Sequence, residues 1–211
     1  LMQQCFGGQL GDIETAVKAS QFLQYEGLKY AVEANRRRAL RCSGTFPWQF
    51  NEPYPNNTCT CSVDYYAAPK PAYYGVRAAY APESLTARFD SQTLSGRESF
   101  AASLFWQSSS AERVPERITA RVVAQDGTVC AREEILTAGL LAEAEKAACA
   151  GTVSCAAEKI GTEIFYLALE AVDERGAVLA QNRYCFTKTD LSGFLRLPPA
   201  RIETGMTETP D

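Results

Sequence analysis

The hydrophobic pattern of this chain changes period near Pro82, and that change limits the folds open to it. Over residues 12–38, apolar side chains recur at roughly helical spacing: Ile13, Ala16, Val17, Phe22 or Leu23, Leu28, Ala31 and Val32. Asp12 is a plausible N-cap, with Glu14 and Thr15 in the first turn. Arg36, Arg37 and Arg38 close the segment where cations suit the negative end of the helix dipole, and they read as a solvated helix end. A short strand is expected over about Cys42–Phe50, ended by Pro53 and Pro55, which cannot supply a ladder N–H. A second helix is expected over about 71–80, with Tyr73, Tyr74, Val76 and Ala79 as its packing face. One strand and two helices cannot close a core, and a parallel strand needs neighbours on both sides. Residues 1–81 therefore read as a piece of a larger α/β domain, and the native protein is expected to extend upstream of Leu1.

From Pro82 onward the runs are short, alternate in polarity and are bounded by turn residues. Leu85, Ala87 and Phe89 alternate, as do Phe100, Ala102, Leu104 and Trp106, and Ile118, Ala120 and Val122. Asp126-Gly127 is a hairpin turn into a strand over 128–135. Further strands are expected over 164–172 and 177–186, joined by a turn at 173–176. Six or more such strands suggest an antiparallel sandwich of immunoglobulin type over 82–211. The Ala, Glu and Lys content of 140–150 favours a helical turn, and the tail after Pro198 lacks periodicity. The fold class is thus mixed: α/β, then all-β.

Composition removes several functions. There is no histidine among the 211 residues, so no Ser-His-Asp or Cys-His pair and no His-ligated zinc site can form within the chain. Acid/base work would fall to carboxylates, Lys, Tyr or Cys. A net charge of −4 argues against a nucleic-acid partner. No run of eighteen apolar residues offers a membrane span. Cys59-Thr-Cys61 is a poor metal signature, and the eight cysteines read as buried or half-buried free thiols. Cys149 and Cys155 are candidates for a local disulfide in an oxidising compartment. Free cysteines lean towards the cytoplasm, with a periplasmic or secreted location left open.

The densest chemistry lies in GTFPWQFNEPYPNNT, residues 44–58. Hydrogen-bonding side chains crowd there beside aromatic faces, which suits a sugar site better than a core strand. Asn56-Asn57-Thr58 is a formal glycosylation sequon of little weight here. The segments QYEGLKYAVEANRRR (24–38), CSGTFPWQFNEPYPN (42–56) and SVDYYAAPKPAYYGVRAAYAP (62–82) resemble the C-terminal end of glycoside hydrolase family 2 enzymes, in the β-mannosidase-like branch. The resemblance is dense over about 60 residues and weaker through the sandwich, including Asn182-Arg183-Tyr184.

The resemblance implies a parent with a (β/α)8 barrel, residues 1–81 forming its last helices and last strand, and residues 82–211 the following immunoglobulin-like domain. It implies retaining hydrolysis of β-glycosides by two glutamates about 5 Å apart, both upstream of Leu1. No cofactor or metal is implied. Trp48 would sit at the C-terminal end of the last barrel strand, on the catalytic face, as a platform for the sugar. Asn51 and Glu52 would cluster with it, or cap and pair structurally. Gln49 is expected to alternate away, towards the helix layer. Tyr54 would flank the site where the family often has Trp. Asp64, Tyr65 and Tyr66 would link loop to helix by packing and hydrogen bonds. The partners are then a β-linked saccharide and the upstream part of the same polypeptide. Mannoside, galactoside, glucuronide and glucosaminide enzymes share this architecture, so no one sugar is singled out. The alternatives are a non-catalytic carbohydrate- or domain-binding sandwich, with Phe100, Trp106, Tyr166 and Tyr184 its candidate aromatics, and an inactive remnant.

Overall fold

The structure, a computed structural model, describes residues 2–8, 10–39, 41–56, 60–110, 113–137 and 147–198. Helix α1 spans Met2–Cys5, α2 spans Ile13–Arg36 and α3 spans Pro71–Ala79. Asp12 caps α2 as expected, accepting from the Thr15 backbone N–H at 2.8 Å and from its hydroxyl at 2.8 Å. Pro71 opens α3, where a missing N–H leaves no bond unmade. The two helices approach closely at Gly75, because a Cβ there would lie 2.9 Å from the Tyr25 ring.

The expected strand over 42–50 does not form a ladder. The segment is irregular, bends at Trp48 and Phe50, and leads into an isolated parallel bridge from Asn51 to Val63. The residues have the right pattern, but a parallel strand is stabilised by neighbours, and the described residues offer it only the returning segment 60–63.

Seven strands follow: β1 Ser84–Arg88, β2 Ser99–Gln107, β3 Arg117–Ala124, β4 Val129–Leu136, β5 Ala148–Ala156, β6 Ile164–Val172 and β7 Val178–Thr187, before α4 at Ser192–Leu195. They form two antiparallel sheets, β1-β2-β5 and β4-β3-β6-β7. Alternate residues of both sheets meet in one core: Leu85 and Ala87, Phe100 to Trp106, Ile118 to Val122, Phe165 to Ala171, Tyr184 and Phe186. Phe165 and Phe186 stack at its centre, and Phe100 meets both edge to face. Gly127, at φ 92°, makes the β3–β4 turn that L side chains adopt poorly, and Asp126 accepts from Thr128 N–H at 2.9 Å to close it.

Strand β5 corrects the helical reading of 140–150 where that range is described. Its small residues, ACAGTVSCA, have weak strand preference, but they pair with β2 from Ser99↔Ala156 to Trp106↔Ala148. A register shift at Leu104/Phe105 breaks the alternation that a sequence pattern needs. Cys149 and Cys155 lie on this one strand, six residues or about 20 Å apart, too far for a disulfide. Both are free thiols. The remainder of 140–150, the tail after Pro198 and the residues Asn57 and Thr58 of the sequon lie outside the described residues.

Helix α2 is clamped to the sandwich by buried polar groups. Glu33, 1% exposed, accepts from the Tyr184 hydroxyl at 2.6 Å and from Asn182 Nδ2 at 3.0 Å. Tyr184 in turn accepts from the Ala87 N–H at 2.9 Å. Lys29 donates to the Arg183 carbonyl at 2.6 Å, and its ammonium sits 4.1 Å from the Tyr184 ring centre. Of the three arginines at the end of α2, Arg38 is exposed as expected, whereas Arg36 and Arg37 are half-buried and partnered. Arg36 donates to the carbonyls of Ala79 and Ala81 at 2.6 and 2.7 Å, tying α2 to the end of α3. Arg37 lies over the rings of Tyr30 and Phe105 at 5.1 and 5.7 Å. Carbonyls and rings from elements distant in sequence claimed these cations, which a local charge argument does not foresee.

Candidate functional site

The polar, aromatic segment 44–56 lies across the α3 side of the helical layer. Two supports hold it. Tyr80, at the end of α3, donates its hydroxyl to the Thr45 carbonyl. The returning segment 60–63 bonds it from beneath: Thr60 Oγ1 donates to the Trp48 carbonyl at 2.9 Å, and the N–H groups of Ser62 and Val63 donate to the Phe50 carbonyl at 3.1 and 2.8 Å. Gln24 on α2 donates to the Thr60 and Cys61 carbonyls, at 2.5 and 3.1 Å, so the return is itself anchored.

On this support Trp48 presents its indole to solvent, 81% exposed, with Phe46 at 92%. Phe50 and Tyr54 are exposed as well, while Pro47 and Gln49 are half-buried. Gln49 lines a cavity of about 280 Å³ against Tyr73, Val76 and Tyr80 of the α3 layer, on the helix side as its alternation implies. Asn51 is exposed and bridges to Val63. Glu52 faces inward. It is 5% exposed and accepts from the Cys61 thiol at 2.6 Å and from Lys70 Nζ at 2.7 Å. Those two donors hold its carboxyl below the ordinary carboxylate range. Burial alone would pull Lys70 down, but its bonds to Glu52 and Cys61 outweigh that and hold the ammonium above its usual value.

The structure thus brings Trp48, Asn51 and Tyr54 to the exposed side and turns Gln49 and Glu52 into the support. Phe46 joins the exposed aromatics without having been singled out from the sequence; its place two residues before Trp48 was the available signal. Asp64 accepts from the Ala68 N–H at 2.8 Å and closes the turn ahead of α3. Tyr65 and Tyr66 pack edge to face at 5.2 Å. Of the sandwich aromatics, Phe100, Trp106 and Tyr184 are buried and Tyr166 is half-buried. Among the described residues no cluster of His, Cys, Asp and Glu has the makings of a metal site, and no helix is long and apolar enough to cross a membrane.

Known proteins resemble part of this chain in sequence and most of it in fold. Beta-mannosidase B of Aspergillus niger is 32% identical over 80 residues, 36% of this chain and 9% of that enzyme. Beta-mannosidase B of Aspergillus oryzae matches to the same extent. Over those 80 residues the chain is similar to β-mannosidase B. Among solved structures, the β-D-mannosidase of Dictyoglomus thermophilum superposes with a TM-score of 0.55 over 85% of this chain, at 21% identity. The exo-chitosanase CsxA of Amycolatopsis orientalis reaches 0.63 over 93% of it, at 16% identity. The matches span 9% of the curated relatives and 20–24% of these solved chains. No family model matches the chain.

Proposed function

We propose that this chain is the C-terminal segment of a retaining β-glycosidase of the β-mannosidase-like kind, and that it supplies one wall of the sugar site. Residues 1–81 would be the end of the barrel and 82–211 the sandwich domain that follows. The two catalytic glutamates would come from another part of the polypeptide, so the chain alone is read as inactive. The observation that carries this reading is Trp48, a large apolar ring held four-fifths exposed on a segment whose carbonyls are bonded from beneath. An exposed indole on a fixed backbone offers an apolar face to the axial hydrogens of a pyranose and an N–H to its hydroxyls. Glu52 belongs to the support in this reading, and Asn51 and Tyr54 flank the ring.

The test is Trp48→Ala in the complete glycosidase, assayed on an aryl β-mannoside. A loss of about ten- to a hundredfold in kcat/KM with an unchanged unfolding midpoint is expected. Near-normal turnover would remove Trp48 from the site.

A further inference from the structure

Beneath the aromatic segment lies a cluster that sugar binding does not use. The Cys61 thiol donates to Glu52 Oε1 at 2.6 Å, Lys70 Nζ donates to the same oxygen at 2.7 Å, and Nζ lies 3.1 Å from the sulfur. Cys61 is fully buried, but the Lys70 side chain is 19% exposed, so the cluster meets solvent through the amine. No other described thiol is hydrogen-bonded to both a carboxylate and an amine. The thiols of Cys42, Cys130, Cys149 and Cys155 are directed at backbone carbonyls. Burial pushes Cys185 up to about 12 and keeps it inert.

We propose that Cys61, Lys70 and Glu52 form a peroxide-responsive site in which oxidised Cys61 becomes covalently joined to Lys70. In the first step Glu52 takes the thiol proton as sulfur attacks hydrogen peroxide. The O–O bond breaks, one oxygen stays on sulfur as sulfenic acid, and the other leaves as water with that proton. Sulfur loses two electrons and peroxide gains them. In the second step Lys70 passes its extra proton to Glu52 and its lone pair attacks sulfur. The S–N bond forms, the S–O bond breaks, and the hydroxyl leaves as water with the amine's second proton, leaving a sulfenamide and a protonated Glu52. The new bond ties the segment that supports Trp48 to the N-cap of α3, because Cys61 lies between Thr60 and Ser62, which hold the Trp48 and Phe50 carbonyls, and Lys70 is that N-cap. The proposal rests on these three side chains and is independent of the sugar reading.

The experiment treats the folded chain with hydrogen peroxide, removes the excess, unfolds it and maps the peptides by mass spectrometry. In the wild type the peptide holding Cys61 and Lys70 is expected to lose two hydrogens, with fragmentation placing the link between them. Dithiothreitol should reverse it, and the link should form faster at higher pH because the free amine attacks. Cys61→Ser and Lys70→Arg should both abolish it. Lys70→Arg keeps a cation beside Glu52, so loss of the link there is not loss of the fold, and Cys61 should instead proceed to sulfinic acid. Three results overturn the proposal. One is Cys61 recovered unmodified where the exposed Cys149 has been oxidised. Another is a two-hydrogen loss that persists in Lys70→Arg, which would be a disulfide. The third is wild-type Cys61 running to sulfinic acid as fast as in that variant.

Discussion

Glu26 should make this chain lose stability as pH rises through neutrality. It sits on the inner face of α2, 6% exposed, and accepts from Gln92 Nε2 at 2.8 Å. Burial is the largest influence and pushes its carboxyl up to about 7; Glu33 pushes the same way, while Lys29 and the Gln92 bond pull it down. Cys185 on β7 lies within reach of its charge, and Asp90 lines the same cleft between α2 and the loop after β1. In the unfolded chain the carboxyl returns to about its ordinary value of 4.5. Between 4.5 and 7 the folded state therefore holds a proton that the unfolded state has released. The stabilisation is fully present below pH 4.5 and is lost as pH rises to 7 and beyond. The difference of about 2.5 pH units corresponds to about 3 kcal/mol, or about 6–12 °C in Tm for a chain of this size.

The perturbation is Glu26→Gln, which keeps an acceptor for Gln92 and never ionises. Urea unfolding of the 211-residue chain at half-unit steps from pH 5 to 8 is the assay. The wild-type midpoint should fall across this range while the variant's stays level. The two should lie within about 1 kcal/mol of each other at pH 5, and the variant should be the more stable by about 3 kcal/mol at pH 8. Asp12, Asp126 and Asp190, held below the ordinary range by hydrogen bonds from nearby Thr and Ser residues, act in the opposite sense. Their stabilisation is lost only as pH falls through their lowered values, so they leave this window to Glu26. Parallel curves for wild type and Glu26→Gln would refute the reasoning, since the titrating group would then lie elsewhere.

The other expectations concern the seam, the helices and the aromatic segment. Tyr184→Phe should cost about 2–4 kcal/mol in urea unfolding, because it strips buried Glu33 of one donor and the Ala87 N–H of its acceptor. Gly27→Ala on α2 should stabilise by about 0.5–1 kcal/mol, since nothing lies within 4 Å of the new methyl, whereas Gly75→Ala should destabilise by forcing Tyr25 off α3. Trp48→Ala should move stability by less than about 0.5 kcal/mol, while acrylamide quenching falls sharply, because the remaining Trp106 is 0% exposed.

What could be read from the sequence was whatever a segment decides with its own residues. Helix α2 was legible because Asp12, the apolar spacing and the length act locally, and β6 was legible as a mostly apolar run closed by the turn at 173–176. Strand β5 was not, because its pairing with β2 outweighs its composition and its phase is broken by an irregularity that only the partner strand defines. The same division runs through the candidate site. Trp48 and Tyr54 were named through the family resemblance of the segment, and their exposure beside prolines needs no distant partner. The inward turn of Glu52 depends on Cys61 and Lys70, nine and eighteen residues away, and the pattern N-E-P-Y carries no trace of either. Arg36 and Arg37 escaped the sequence reading for this reason too, although Arg38 is exposed: a helix end is solvated only where nothing folds onto it, and here α3 and the sandwich fold onto those two. Charged residues were therefore the least legible class in this chain. An apolar side chain needs any apolar neighbour to be buried, whereas a buried charge needs one particular partner, and that partner is a property of the fold.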